Sequence, residues 1–213
     1  MKKRQVKGFF ITFEGIEGVG KTTQAQKAYE LLDARHPGQV VLTREPGGTS
    51  SGESIRNIML KAGNNGIDGM TEMLLVFAAR RLHIRDVIEP SLKAGKIVLC
   101  DRFTDATFAY QGGGRGVDKK LIAQLQDMVQ NTLRPDLTLL LDAPVETGLA
   151  RIGERSKPDR LEAETTSFFQ RVRRSYLDLS QRYPERIRVI DAARGADEIA
   201  AEIRTILGEN GLC

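Results

Sequence analysis

Gly15-Ile16-Glu17-Gly18-Val19-Gly20-Lys21-Thr22 is a complete G-x-x-x-x-G-K-[ST] phosphate loop, and the segments flanking it are a strand and a helix. Before it, Phe9-Phe10-Ile11-Thr12-Phe13 has the aromatic and β-branched make-up of a short buried strand. After it, Gln24 to Leu32 runs without Gly or Pro and reads as a helix. The glycines let the backbone wrap a phosphate with its N–H groups turned inward, at the positive end of the following helix. In this arrangement the whole string Gly15, Ile16, Glu17, Gly18, Val19, Gly20, Lys21 and Thr22 contacts nucleotide phosphates. Lys21 reaches the β and γ phosphates, and the Thr22 hydroxyl is placed to ligate Mg²⁺.

Strands and helices alternate outward from this loop. Gln39 to Thr43, Lys96 to Cys100, Leu137 to Asp142 and Ile187 to Asp191 read as further strands. Helices are expected over Ser54 to Ala62, Thr71 to Leu92, Thr104 to Gln111, Lys119 to Leu133, Val145 to Ile152, Leu161 to Arg182 and Ala196 to Leu207. The pattern predicts an α/β fold, an open and mostly parallel five-stranded sheet with helices on its two faces. Ligands in such a sheet sit at the carboxyl ends of the strands, where the loop, Glu45, Asp101 and Arg102 all fall.

Composition narrows the function classes. The chain has 213 residues, 40% of them hydrophobic and 28% charged, which suits one domain with a substantial core. Its net charge of +4 is mild, and apart from Lys2, Lys3, Arg4 and Lys7 the basic residues are dispersed. That balance fits small phosphorylated ligands and predicts no nucleic-acid track. Cys100 and Cys213 do not make a disulfide framework, so a reducing cytoplasmic setting is expected. No apolar run approaches the length of a membrane span, and no signal-type stretch follows the basic start.

Asp101 ends a buried-looking strand, where a carboxylate can hold Mg²⁺ directly or through water, and Arg102 faces the same cleft. On a helical Thr104 to Gln111, Thr107, Tyr110 and Gln111 lie at i, i+3 and i+4 and project from one side, a surface suited to a base and a sugar. Phe77 and Arg81 are spaced i and i+4, an aromatic plate beside a guanidinium fork that can stack a nucleobase and donate to its carbonyl.

The strings Phe10-Ile11-Thr12-Phe13-Glu14-Gly15, Thr43-Arg44-Glu45-Pro46-Gly47-Gly48-Thr49, Phe77-Ala78-Ala79-Arg80-Arg81, Asp101-Arg102-Phe103 and Ala109-Tyr110-Gln111-Gly112 occur in the order and spacing of bacterial thymidylate kinases. The resemblance continues through Asp159-Arg160-Leu161-Glu162 and covers nearly the whole chain. It implies transfer of the γ-phosphoryl of ATP to dTMP, with Mg²⁺, in a homodimer. It also implies roles for single residues. Phe77 would stack on thymine, Arg81 would bond a thymine carbonyl, and Thr107 and Gln111 would line the base. Tyr110 would stand beside the sugar's missing 2′-hydroxyl, and Arg56 and Arg102 would hold the dTMP phosphate. Glu45 would lie near the transferring group and metal, and Glu17 near the sugar 3′-hydroxyl or the metal.

Phe103 and Ala106 depart from the frequent Tyr and Ser of that family, so no hydroxyl is available there. The phosphate loop carries no arginine at its variable positions, Ile16 to Val19. A further cation for the transition state is therefore expected from the segment Arg151 to Arg160, which resembles the family's lid; Arg155, between Gly153 and Pro158, is the expected donor. Alternative readings have weaker support. A guanine-reading N-K-x-D string is absent, kinases of other nucleotides or nucleosides differ in the base pocket, and a non-catalytic module would lose Lys21 or Arg102.

Overall fold

The apolar run ahead of the phosphate loop is β1 (Phe9–Glu14), the central strand of a five-stranded sheet. The computed structural model describes residues 8–61, 67–153, 161 and 164–213. The other strands are β2 (Val40–Arg44), β3 (Ile97–Asp101), β4 (Leu137–Asp142) and β5 (Ile187–Asp191), in spatial order β2-β3-β1-β4-β5. All pairings are parallel, with Phe13 opposite Asp101 on one side and Leu139 on the other. Strands covered on both faces should read as unbroken apolar runs, and β1, β3 and β4 are buried along nearly their whole length. Edge strand β5 instead exposes Arg188 and Val189.

Side chains alternate across β1. Phe10 packs with Ile84 and Ile88. Ile11 and Phe13 join the larger cluster that includes Ala25, Ala28 and Leu32 of α1 (Lys21–Asp33). Thr12 and Glu14, on the Phe10 face, are fully buried polar groups; the Thr12 hydroxyl shares a 2.8 Å hydrogen bond with that of Thr138.

The remaining helices are α2 (Ser50–Leu60), α3 (Gly69–His83), α4 (Glu89–Lys93), α5 (Thr104–Thr107), α6 (Lys119–Gln130), α7 (Val145–Gly153), α8 (Thr166–Arg182) and α9 (Ala196–Glu209). Two expected helices are interrupted by π-helical turns. Thr71 to Leu92 passes from α3 through Ile84–Ile88 into α4, where Pro90, in the first turn, has no N–H to give the preceding ladder. Thr104 to Gln111 passes from α5 into Phe108–Gly114, whose glycine run tolerates the wider turn. α2 starts before Ser54 because the Thr49 side chain accepts from Gly52 N at 3.0 Å and caps it. α8 starts after Leu161 for the same kind of reason, with Thr165 accepting from Phe168 N. Ala62, the last residue of the expected Ser54 to Ala62 helix, lies outside the described residues. Among the described residues no helix is long and apolar enough to cross a membrane.

Candidate active site

The connection after β1 leaves toward β2 and the connection after β3 leaves toward β4, so the chain departs from these paired neighbouring strands in opposite directions and leaves a crevice outside their carboxyl ends. The phosphate loop lines one side of it. Gly18 (φ 74°) lies against the backbone of Gly148 in α7, and a Cβ on Gly18 would run into the Gly148 carbonyl oxygen. A Cβ on Gly148 would meet Glu17 O at 2.5 Å in turn, so loop and helix require each other's glycine. Lys21, 7% exposed, donates from Nζ to Ile16 O at 2.6 Å and lies 3.8 Å from the Glu17 carboxylate. Burial, followed by the nearby Arg102, brings its ammonium down to about 8.

Asp101 and Arg102 are consecutive and reach apart. The Thr22 hydroxyl donates to Asp101 Oδ2 at 2.6 Å, and these two residues line one cleft together with Arg44 and Glu53 of the β2–α2 region. Arg102 turns into a second cleft. Its φ of 69° puts a non-glycine residue in the left-handed region, a conformation that persists only where surroundings hold it. Here its N–H donates to Phe13 O at 2.9 Å. Its guanidinium donates to Gly15 O at 3.1 Å, to Tyr110 Oη at 3.2 Å and to the Glu17 carboxylate. Tyr110 donates to Glu17 at 2.5 Å. Burial alone would raise the Glu17 carboxyl, but Arg102 and Lys21 hold it below the ordinary carboxylate range.

The second cleft gathers Glu17, Glu45, Arg56, Thr107, Tyr110 and Gln111 with Arg102. Arg56 donates from Nη1 to Pro46 O at 3.1 Å. Glu45 is 3% exposed and bound by Arg80 Nε at 2.7 Å and His83 Nδ1 at 3.0 Å, while its N–H donates to Asp101 O at 2.9 Å. Gln111 donates to Glu72 Oε2 at 3.1 Å, and Glu72 also binds Arg115.

The expected pair on α3 is displaced by one residue. Phe77 packs with Met73 and Ile122 in the core against α6, and Arg81 is exposed. The pair facing the cleft is Val76 and Arg80, again spaced i and i+4. Arg80 is 1% exposed; besides Glu45 it binds Thr107 Oγ1 and Phe103 O, each at 3.1 Å, and its guanidinium lies 4.9 Å from the Phe77 ring centre. An arginine that saturates an acid, a hydroxyl and a carbonyl is the one the fold can bury, which is why the register falls here. Met59, Leu60 and Leu161 complete apolar parts of the wall and were not foreseen. The spacing of Val76 and Arg80 was visible, but nothing in the string ranked it above the pair one residue on. Arg151 donates to Ala192 O at 3.0 Å, whereas Arg155, Lys157 and Arg160 lie outside the described residues.

A hydroxyl beside a carboxylate is a hard oxygen donor set suited to Mg²⁺, which ordinarily takes one or two protein groups and completes its shell with phosphates and water. Among the described residues no three or more His, Cys, Asp or Glu gather as a metal cluster.

Comparison with known proteins agrees along almost the whole chain. The family model described as thymidylate kinase matches residues 13–203. A thymidylate kinase of Pseudomonas syringae pv. tomato is 50% identical over 203 residues, 95% of this chain and 96% of that one. One from Methylococcus capsulatus is 54% identical over 198 residues, 93% and 94% of the two chains. The crystal structure of thymidylate kinase from Ehrlichia chaffeensis superposes with a TM-score of 0.78 at 39% identity, covering 94% of this chain and 98% of that one.

Proposed function

The chain belongs to the thymidylate kinase family and is an ATP-dependent nucleoside monophosphate kinase, and from this we infer how its two clefts divide the reaction between them. ATP lies on the phosphate loop with its β and γ phosphates in reach of Lys21. Thr22 and Asp101 are the residues that would hold Mg²⁺, which when bound would supply neutralising charge to the phosphates. dTMP enters the second cleft. Arg102 and Arg56 hold its phosphate, Val76, Arg80, Thr107 and Gln111 surround the base, and Tyr110 and Glu17 flank the sugar. Val76 and Arg80 take the roles first expected of Phe77 and Arg81. A dTMP phosphate oxygen then forms the new bond to the γ-phosphorus as the bond to the β–γ bridging oxygen breaks, giving dTDP and ADP. The protein's share is alignment and charge neutralisation rather than covalent chemistry.

The observation that carries this reading is the divergence of Asp101 and Arg102. One strand end reaches the donor loop with an acid and the acceptor cleft with a guanidinium, so the two anions are brought together on a rigid edge. Arg155 remains our choice for the added transition-state cation. A homodimer in the cytoplasm completes the reading, the dimer supported by the exposed apolar side chains of Ile58 on α2 and Met70 and Leu74 on α3.

ADP release measured over a panel of nucleoside monophosphates tests the assignment. dTMP should be the best acceptor and dUMP a weaker but detectable one, since a methyl is worth only about 1–3 kcal/mol. Turnover with AMP or dGMP equal to that with dTMP would overturn it. Lys21→Ala should abolish turnover while the chain still unfolds cooperatively.

A further inference from the structure

Glu14 has no part in the scheme above, yet it is fully buried directly ahead of the phosphate loop. A carboxyl group at such a place needs partners, and the partners it has both belong to the Arg102 region. Its Oε1 accepts the N–H of Phe103 at 2.7 Å, fixing the residue that follows the left-handed Arg102. Its Oε2 accepts the Tyr176 hydroxyl of α8 at 2.8 Å, and the Tyr176 oxygen accepts in turn from Arg102 Nη1 at 3.4 Å. The neighbouring acid Asp105 is engaged by Arg186 at 2.7 and 3.0 Å. Among the described residues no ion pair involves Glu14, and Arg102 is linked to it through Tyr176 rather than directly.

We propose that Glu14 is the positioning residue for Arg102, holding the strained backbone turn through Phe103 N–H with one oxygen and steadying the guanidinium through Tyr176 with the other. Two features favour this over plain space-filling. A left-handed arginine persists only where hydrogen bonds over-determine it, and Glu14 supplies one of them on the C-terminal side while Phe13 O holds the Arg102 N–H itself. A buried apolar residue would fill the same volume without the cost of desolvating a carboxyl group. Burial, and then Asp105, push the Glu14 carboxyl up to about 8.

The inference rests on reading Arg102 as the grip on the acceptor phosphate, and its test separates the two. Steady-state constants for dTMP and ATP are measured on Glu14→Met, Glu14→Gln, Tyr176→Phe, the Glu14→Met/Tyr176→Phe double variant and Arg102→Ala, with thermal midpoints alongside. Glu14→Met should raise the KM for dTMP about tenfold, the worth of one lost hydrogen bond, with the KM for ATP within about twofold. Glu14→Gln keeps an oxygen for Phe103 N–H and a polar group beside Tyr176, and should recover most of the loss. Tyr176→Phe should shift the dTMP constant in the same direction by less, and the double variant should be no worse than Glu14→Met, because the tyrosine acts through the same anchor. Equal changes in both KM values, no difference between Met and Gln, or an additive double variant would overturn the proposal. Should Glu14→Met not fold, Tyr176→Phe decides alone: an unchanged dTMP KM rejects the relay. If Arg102→Ala loses dTMP while Glu14→Met retains it, only the Glu14 role falls; if Arg102→Ala is kinetically normal, the phosphate grip falls and Glu14 with it.

Discussion

Arg80 and Arg81 are adjacent, chemically identical and opposite in consequence. Arg80 binds a buried carboxylate, so Arg80→Ala leaves Glu45 buried with only His83 beside it among the pairs described here, a loss of about 3–5 kcal/mol. Arg81 is exposed, and Arg81→Ala should cost no more than about 0.5 kcal/mol. Urea titrations of the two variants check this, and equal midpoints would contradict the register of α3. Glu14 gives a separate signature in pH. Its carboxyl titrates near 8 in the folded chain against an ordinary 4.5, with burial the first cause. The folded protein therefore keeps a proton that the unfolded chain releases over that interval. Glu14's contribution to stability is full below about 4.5 and is lost as the pH rises through about 8. Measured at pH 5 and pH 9, the thermal midpoint of the wild type should fall relative to that of Glu14→Gln, which carries no such proton. At roughly 2–4 °C per kcal/mol for a chain of this size the difference is readily resolved, and parallel midpoints would mean that Glu14 keeps an ordinary acidity.

Elements were legible to different degrees, for physical reasons. Each strand is a short apolar run bounded by polar or Gly-containing segments, and the strands were read to within one residue at each end. Helix faces were harder. Along Val76-Phe77-Ala78-Ala79-Arg80-Arg81 two adjacent stripes are each apolar then basic, and periodicity cannot choose between them. The choice is made by tertiary packing: Ile122 of α6 offers Phe77 a pocket, while Glu45 and Thr107 offer Arg80 its partners. Phe77→Ala should thus cost about 3–5 kcal/mol in stability, as a core cavity does. Val76→Ala should cost less and should change the ratio of dTMP to dUMP turnover, because Val76 is part of the cleft wall. Unfolding midpoints and kcat/KM ratios on both variants check the assignment. A Phe77→Ala variant of native stability with altered base preference would restore the pair one residue later. The π-helical turn Phe108–Gly114 was invisible to the pattern, yet Thr107, Tyr110 and Gln111 still reach one cleft, since they converge from its first turn and the end of α5.

For the whole molecule, the topology made the site readable in advance. A parallel sheet forces its functional groups to the carboxyl ends of strands, so a phosphate loop after β1 and an Asp-Arg pair at β3 had to meet once those strands paired. Residues that touch the cleft only through helix packing, such as Met59 and Leu60, carried no such constraint and were missed. The same reasoning applies to the outside of α3. Met70, Leu74, Ala78 and Arg81 are all exposed and recur at helical spacing, and Met70 and Leu74 are 41% and 52% exposed. Ile58 of α2, the helix packed beside it, is 49% exposed. Exposed apolar side chains on two neighbouring helices are what a two-fold contact between copies would cover. A charge placed there would be buried without a partner in the pair of chains while remaining solvated in the single chain. Leu74→Asp should therefore leave the subunit's own fold intact and weaken association by at least about a hundredfold, equivalent to roughly 3 kcal/mol. Sedimentation velocity at micromolar concentration should find the wild type as a dimer and the variant as a monomer. A wild type that sediments as a monomer, or a variant that still sediments as a dimer, would remove this face from the assembly.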